Sequence, residues 1–336
     1  MKKYILLPLM LMATACLNDI KYSPKDIEPK IVINSIMSTG DTVHRVFVSI
    51  SNHKNVLPPE SGKLNLRVTV NGEPVTSAEK KDPYGRVKTF KEFQFKAELG
   101  PGDKIGIVAD YGRLQASAEC TALQPASISK ADTLSGKTVI EGENKDVMRF
   151  RVRLKDRQGE KNWYRITMGR KNEAFLDNEG EKLSESETLI NIIGKEDYLL
   201  DDGTANETND LFWMTSPNKY KVFNDSQFAD SEYDMKIMAL TSDIMGSSFD
   251  KFPSYDEFYL HTHININLMS IDEMTFKYLK ELSALTSDDY DTFLMEAINL
   301  EQNVKGGLGF VSIATPYTFT VTLPVRKFKS ILYNPH

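Results

Sequence analysis

Cysteine is almost missing from this sequence: Cys16 and Cys120 are the two it has in 336 residues. A disulfide framework is thereby excluded, and Cys120, inside an alternating segment, is expected to be a small buried hydrophobe. Histidine is scarce as well, with five residues. None of them stands in an H-E-x-x-H pattern, and the chain has no G-x-S-x-G elbow and no Walker A lysine. No catalytic residue is therefore assigned, no cofactor is expected, and the chain is read as a non-enzyme. A surplus of positive charge is lacking too, since the net charge is −6. Nucleic acid is not an expected partner, because phosphate binding needs a basic face.

The front of the chain is where the sequence is most specific. Lys2 and Lys3 form a positive start, Tyr4 to Met12 form a short apolar run, and Ala13, Thr14 and Ala15 are small. That is a processing signal, far too short for the ~20 apolar residues that span a bilayer. Ala13-Thr14-Ala15-Cys16 resembles a bacterial lipobox, which implies that Cys16 becomes the first mature residue and carries diacylglycerol and acyl (palmitate-type) chains. Removing residues 1–15 takes away Lys2 and Lys3, leaving 39 basic against 47 acidic residues and a net charge of −8. Residues 16–27 are polar, contain Pro24 and read as a flexible tether. Asp19, soon after the lipid cysteine, resembles the surface-export signal of Bacteroidetes lipoproteins, which implies outward display at the cell surface of an outer membrane.

The remainder is patterned for strands. "KIVINSIM", "VFVSIS" and "LNLRVTVNGEPV" alternate with period two, and Asn71-Gly72 is a strong hairpin signal. With "FKEFQF", "KIGIVADYG" and "RLQASAECTAL", they predict an immunoglobulin-like β-sandwich over 28–125. Residues 126–146 are polar and are expected to link it to a second β-rich domain, 147–336. There "VMRFRVRLKDRQGEKNWYRITM" predicts a hairpin turning at Asp156 to Gly159. Its Arg149, Arg151 and Arg153 row is expected to be a solvated face rather than an anion site.

In "DEFYLHTHININLMSIDEMTFKYLKELSAL", Phe258, Leu260, Thr262, Ile264, Ile266 and Leu268 should point to the core. Tyr259, His261, His263, Asn265 and Asn267 should point away. Ser270 with Glu273 predicts a capping box that opens one long amphipathic helix. The fold class is therefore mainly β: a sandwich, then a β-rich domain with that one helix.

Candidate ligand contacts are few. His261 and His263 project from one face of a strand, a geometry open to zinc or copper, yet no third ligand is fixed by the sequence and no metal site is assigned. Phe212, Trp213 and Tyr220 are aromatic residues of an irregular region, suited to recognising a small ligand. The acidic stretch from Asp201 to Asp210 lacks the EF-hand spacing for calcium. Gly306, Gly307 and Gly309 continue into alternating strand rather than a helix, so they are expected to serve a turn or bulge and not a phosphate.

Several segments together resemble a family of Bacteroidetes lipoproteins known only as a domain of unknown function. They are "KIVIN", "LGPGDKIGIVADYG", "FRVRLKDRQGEKNWYRI", Phe223 to Ile237, "INLMSIDEMTFKYLKEL" and "NVKGGLGFVS". Asn224 and Asp230 depart from that family's F-S-D-x-x-F-x-G segment. The genes of such proteins are commonly found beside TonB-dependent receptors. The resemblance implies an outer-membrane accessory that captures a nutrient ligand or docks on the receptor. The alternatives are a structural or adhesive surface protein that binds another protein and, behind it, a metal-dependent hydrolase.

Overall fold

The computed structural model describes residues 28–51, 64–82, 84, 89–140, 142–177, 180–200, 218–246, 257–286 and 300–329. Cys16 with its leader and tether, Phe212, Trp213 and the acidic stretch 201–210 lie outside them. Mainly β is what the described residues form. In chain order they give β1 (Ile31–Ser38), β2 (Val43–Ile50), β3 (Asn65–Val70), β4 (Glu73–Val75), β5 (Ser77–Lys80) and β6 (Lys91–Lys96). Next come β7 (Lys104–Tyr111), β8 (Leu114–Thr121), β9 (Ser127–Ile140), β10 (Glu143–Lys155), β11 (Trp163–Phe175) and β12 (Lys182–Ile190). Then follow β13 (Val222–Asn224), β14 (Glu232–Leu240), α1 (Thr241–Met245), β15 (Glu257–Ile271), α2 (Glu273–Leu285), β16 (Leu308–Thr322) and β17 (Arg326–Lys329).

One large sheet runs β12-β11-β15-β16-β1-β2-β6-β5, with β13 also on β11 and β17 also on β15. Two smaller sheets cover one side of it. Alternation puts Ile31, Ile33, Val46, Val48, Phe93 and Phe95 of the large sheet against Val68, Ile105, Ile107, Ala116, Ala118 and Cys120 of β4-β3-β7-β8. A second core forms where Ile166, Met168, Ile264, Ile266 and Leu268 meet Phe150, Val152, Leu154, Met235 and Ile237 of β14-β10-β9. Each fully buried aliphatic side chain of this size contributes about 1.5–3 kcal/mol.

The large sheet is continuous because β16 pairs with both halves. Its residues 308–314 lie parallel to β1 and its residues 315–322 lie antiparallel to β15. Strand β16 holds Pro316, which is tolerated because the pairing with β1 has already ended at Ala314. The glycines before it allow backbone to approach backbone. A Cβ on Gly306 would stand 2.6 Å from the carbonyl oxygen of Gln115, and one on Gly307 or Gly309 would collide with that of Ile31 or Ile33. The late glycine stretch therefore packs on the protein's own sheet.

Three expectations need correction. Residues 126–146 are not a linker: 127–140 are β9, paired along its length with β10. Serine, threonine and glycine dominate there because much of this strand faces solvent, which hides it from a hydrophobic pattern. Next, β10 and β11 are not a hairpin. β10 pairs with β9 and β14, and β11 pairs with β12, β13 and β15, so the connection crosses between sheets. A hydrogen-bond lock fixes that crossing. The Asp156 carboxylate accepts from Tyr164 Oη (2.5 Å), Asn162 Nδ2 (3.2 Å) and the Asp230 backbone N–H (2.9 Å). Lastly, α2 is capped by Asp272, which accepts from the Thr275 N–H at 2.6 Å, because β15 continues through Ile271. The buried residues of α2 are Thr275, Leu279 and Ser283.

Candidate functional site

Strand β15 is central, so the residues that point away from its core side form a face with neighbours on both flanks. His261, His263, Asn265 and Asn267 stand opposite Glu173, Lys171, Gly169 and Thr167 of β11. On the other flank His263, Asn265 and Asn267 stand opposite Thr322, Thr320 and Thr318 of β16. The alternation read from the sequence is correct here: Phe258, Leu260, Thr262, Ile264, Ile266 and Leu268 are buried, and the outward set is half-buried.

These side chains are joined across the strands. Thr318 Oγ1 donates to Asn267 Oδ1 at 2.7 Å, and Thr320 Oγ1 donates to Asn265 Oδ1 at 2.8 Å. His263 reaches Thr322 Oγ1 through Nδ1 (3.1 Å) and Glu173 Oε2 through Nε2 (3.4 Å). Glu173 also pairs with Lys171 (3.1 Å) and Lys182 (3.4 Å). Partial burial works against its charge, but the two lysines outweigh that and hold the carboxyl below its ordinary value. His261 lies against the Phe175 ring, with centroids 4.7 Å apart, and its Nε2 is buried without a hydrogen-bond partner.

Hydroxyl, imidazole and carboxylate in a row invite comparison with a nucleophilic triad. The comparison fails on the other parts that such chemistry needs. The row lies along a flat sheet face, Glu173 is shared with two lysines, and among the described residues no set of convergent N–H donors faces Thr322 as an oxyanion site would. Among the described residues, too, no group of three or more His, Cys, Asp or Glu is placed to hold a metal ion. Fixed amides, hydroxyls and imidazoles on a rigid sheet suit recognition.

Tyr220 belongs to the other end of this face. Arg165 of β11, opposite Met269, donates through Nε to the Tyr220 carbonyl (3.2 Å) and lies 5.7 Å from the centre of its ring. Trp163, Tyr220, Met269, Phe276 and Tyr278 pack there around Val222, Ile271, Leu279 and Ala314. The six residue steps from His263 to Met269 span ~20 Å of strand, so the histidines and Tyr220 share a surface but make no single site. Sequence reasoning missed Glu173, Lys171, Thr322 and Arg165. Their outward phase is legible, but the register that sets them beside β15 is not.

Other polar features are structural. In the arginine row of β10, Arg149 is ion-paired with Glu196 (3.0 Å) and Arg153 with Asp234 (2.7 Å). Exposed pairs of this kind contribute about 0–1 kcal/mol each. Asp230 adopts φ +59°, a conformation that favours glycine. Its carboxylate repays that conformation by accepting from the Gly159 N–H at 2.6 Å. Cys120 is buried, which, with Asp272 adding, pushes its thiol up to about 12. A shallow groove of about 460 Å³ lies over β3, β7 and β8, lined by residues such as Thr69, Pro74, Gly106, Val108 and Ser117. It sits away from the histidine face and gathers no cluster of titratable groups.

A family model described as a domain of unknown function (DUF4249) matches residues 18–320. No curated protein matches the chain. Among solved structures, the C-terminal domain of the AgI/II polypeptide BspA of Streptococcus agalactiae aligns at 8% identity over 71% of this chain and 95% of that one. Its TM-score is 0.14, a level that carries no argument about fold or function.

Proposed function

The chain belongs to the DUF4249 family, and from that premise we propose that it is a lipoprotein held in the outer membrane through acylated Cys16 and displayed at the cell surface. Its role is non-catalytic: it captures a small nutrient ligand, or docks, as an accessory of a TonB-dependent receptor. The sandwich of β4-β3-β7-β8 on β1-β2-β6-β5, immunoglobulin-like in this reading, is the spacer nearest the lipid. The β11-β15-β16 face is the contact surface, and α2, the long amphipathic helix of the second unit, packs on its Tyr220 end through Phe276, Tyr278 and Leu279. One observation carries the reading: Asn265, Asn267 and His263 are pre-set on a rigid strand by hydroxyls of Thr318, Thr320 and Thr322. Such pre-ordering lowers the entropy cost of binding.

The test is nutrient uptake by cells that carry the Asn265→Ala/Asn267→Ala double variant. A loss of uptake of one nutrient class, with the protein still present at the surface, is the expected result. Uptake equal to that of the parent across nutrient arrays overturns it.

A second reading, adhesion to another protein, is favoured by a different observation. Strand β9 is a 14-residue edge strand with Leu134 69% and Val139 51% exposed. Unpaired edges of this kind accept a further strand. Capture of a protein by the parent, lost on placing proline at Ser135, would select that reading.

A further inference from the structure

If the outer face is the binding surface proposed above, Arg165 sets the chemistry of its ligand. Arg165 is half-buried on β11. Arg45, Arg67, Arg149, Arg153 and Arg157 each have a carboxylate within 4 Å, at distances of 3.8, 2.9, 3.0, 2.7 and 3.1 Å. Arg165 has none among the described residues. Its Nε is taken by the Tyr220 carbonyl and its plane lies over the Tyr220 ring. A guanidinium has five N–H donors, so the four on its two terminal nitrogens are left to serve a partner. Burial pulls its pKa below the ordinary arginine value, with Tyr220 acting against the fall. Buried charges are ordinarily paired, because leaving them alone is costly.

The surroundings narrow the partner. Met269 lies directly across from Arg165, Trp163 and Thr167 flank it on the same face of β11, and Asn267 stands across from Thr167. A planar donor fork between apolar walls matches a single carboxylate on an apolar body. We propose that Arg165 anchors a carboxylate-bearing ligand whose apolar part lies against Trp163, Tyr220 and Met269. A phosphate, which carries more charge and more acceptors than one arginine can satisfy, fits the site less well. A small acid and the C-terminus of a peptide both supply such a carboxylate, and the two sources are separated by the test.

Titration calorimetry on the full chain in detergent would use N-acetyl-phenylalanine, its uncharged amide, the tripeptide Ala-Ala-Phe and inorganic phosphate. One of the two acids is expected to bind at least tenfold more tightly than the amide, and the tighter of the two identifies the source. Arg165→Lys keeps the charge but not the fork, so it is expected to weaken that acid at least tenfold with the far-UV circular dichroism unchanged. Met269→Ala, which leaves the arginine in place, is expected to weaken it less. Binding of neither acid, equal binding of acid and amide, tighter binding of phosphate, or an unaffected Arg165→Lys variant each overturns the proposal. Uptake that falls in the Asn265→Ala/Asn267→Ala variant while Arg165→Lys binds normally would sink this inference and leave the accessory role standing.

Discussion

The closure of the large sheet depends on backbone passing within contact distance of backbone, and three glycine-to-alanine variants can separate the parts of that claim. Gly72 has φ +88° with nothing within 4 Å of a Cβ, so Gly72→Ala tests positive φ alone. That strain costs about 1–2 kcal/mol, offset by about 0.4–1 kcal/mol from the stiffer unfolded chain. Gly307 is without positive φ, but its Cβ would strike the Ile31 carbonyl and stand 2.7 Å from Ala116 Cβ. Gly307→Ala therefore tests contact alone, at about 1–3 kcal/mol for overpacking. Gly309 has both, with φ +111° and a Cβ that would meet the Ile33 carbonyl and stand 2.9 Å from Asn34 Oδ1. Displacing β1 there also puts at risk the Phe310 N–H to Asn34 bond of 3.1 Å, at about 1 kcal/mol net. Less the same offset from the stiffer unfolded chain, the sum for Gly309→Ala is about 2–6 kcal/mol. With a urea slope near ~3 kcal/mol/M, its midpoint should fall by about 1–2 M, several times the fall for Gly72→Ala. Urea titration followed by tryptophan fluorescence measures all three. Equal midpoints for Gly309→Ala and Gly72→Ala, or a neutral Gly307→Ala, would refute the close approach of β16 to β1.

Two further outcomes follow from the buried polar groups. Tyr164→Phe removes the 2.5 Å donor to Asp156 at the crossing between sheets. Leaving that carboxylate short of a donor should cost about 1–3 kcal/mol, read as a lower urea midpoint; a midpoint unchanged from the parent would mean that the lock contributes nothing. Cys120, buried and with its thiol pushed up to about 12, should not react with a thiol reagent at pH 8 until urea unfolds the chain. Prompt reaction of the native protein would place the thiol at the surface instead.

What the sequence determined by itself is whatever has a local cause. Period-two alternation placed β1, β2, β3, β8, β15 and β16, since side-chain direction in a strand is set by the neighbouring residues alone. Asn71-Gly72 marked its hairpin, and the structure gives both residues positive φ, 54° and 88°. The outward placing of His261 and His263 was legible for the same reason. What the tertiary structure decided is which strand lies beside which. Alternation is identical for a hairpin and for a crossing between sheets, so the β10–β11 connection was misread; the pairing of β10 with β9 and β14, and of β11 with β12, β13 and β15, distinguishes the two. β9 was read as a linker because a strand facing solvent has no apolar row to display. The parallel pairing of β1 with β16 joins residues near the two ends of the chain. No window of sequence contains it, and it is that pairing, with the register of β11 on β15, that assembles Glu173, His263 and Thr322 at one end of the face and sets Arg165 beside Met269 at the other.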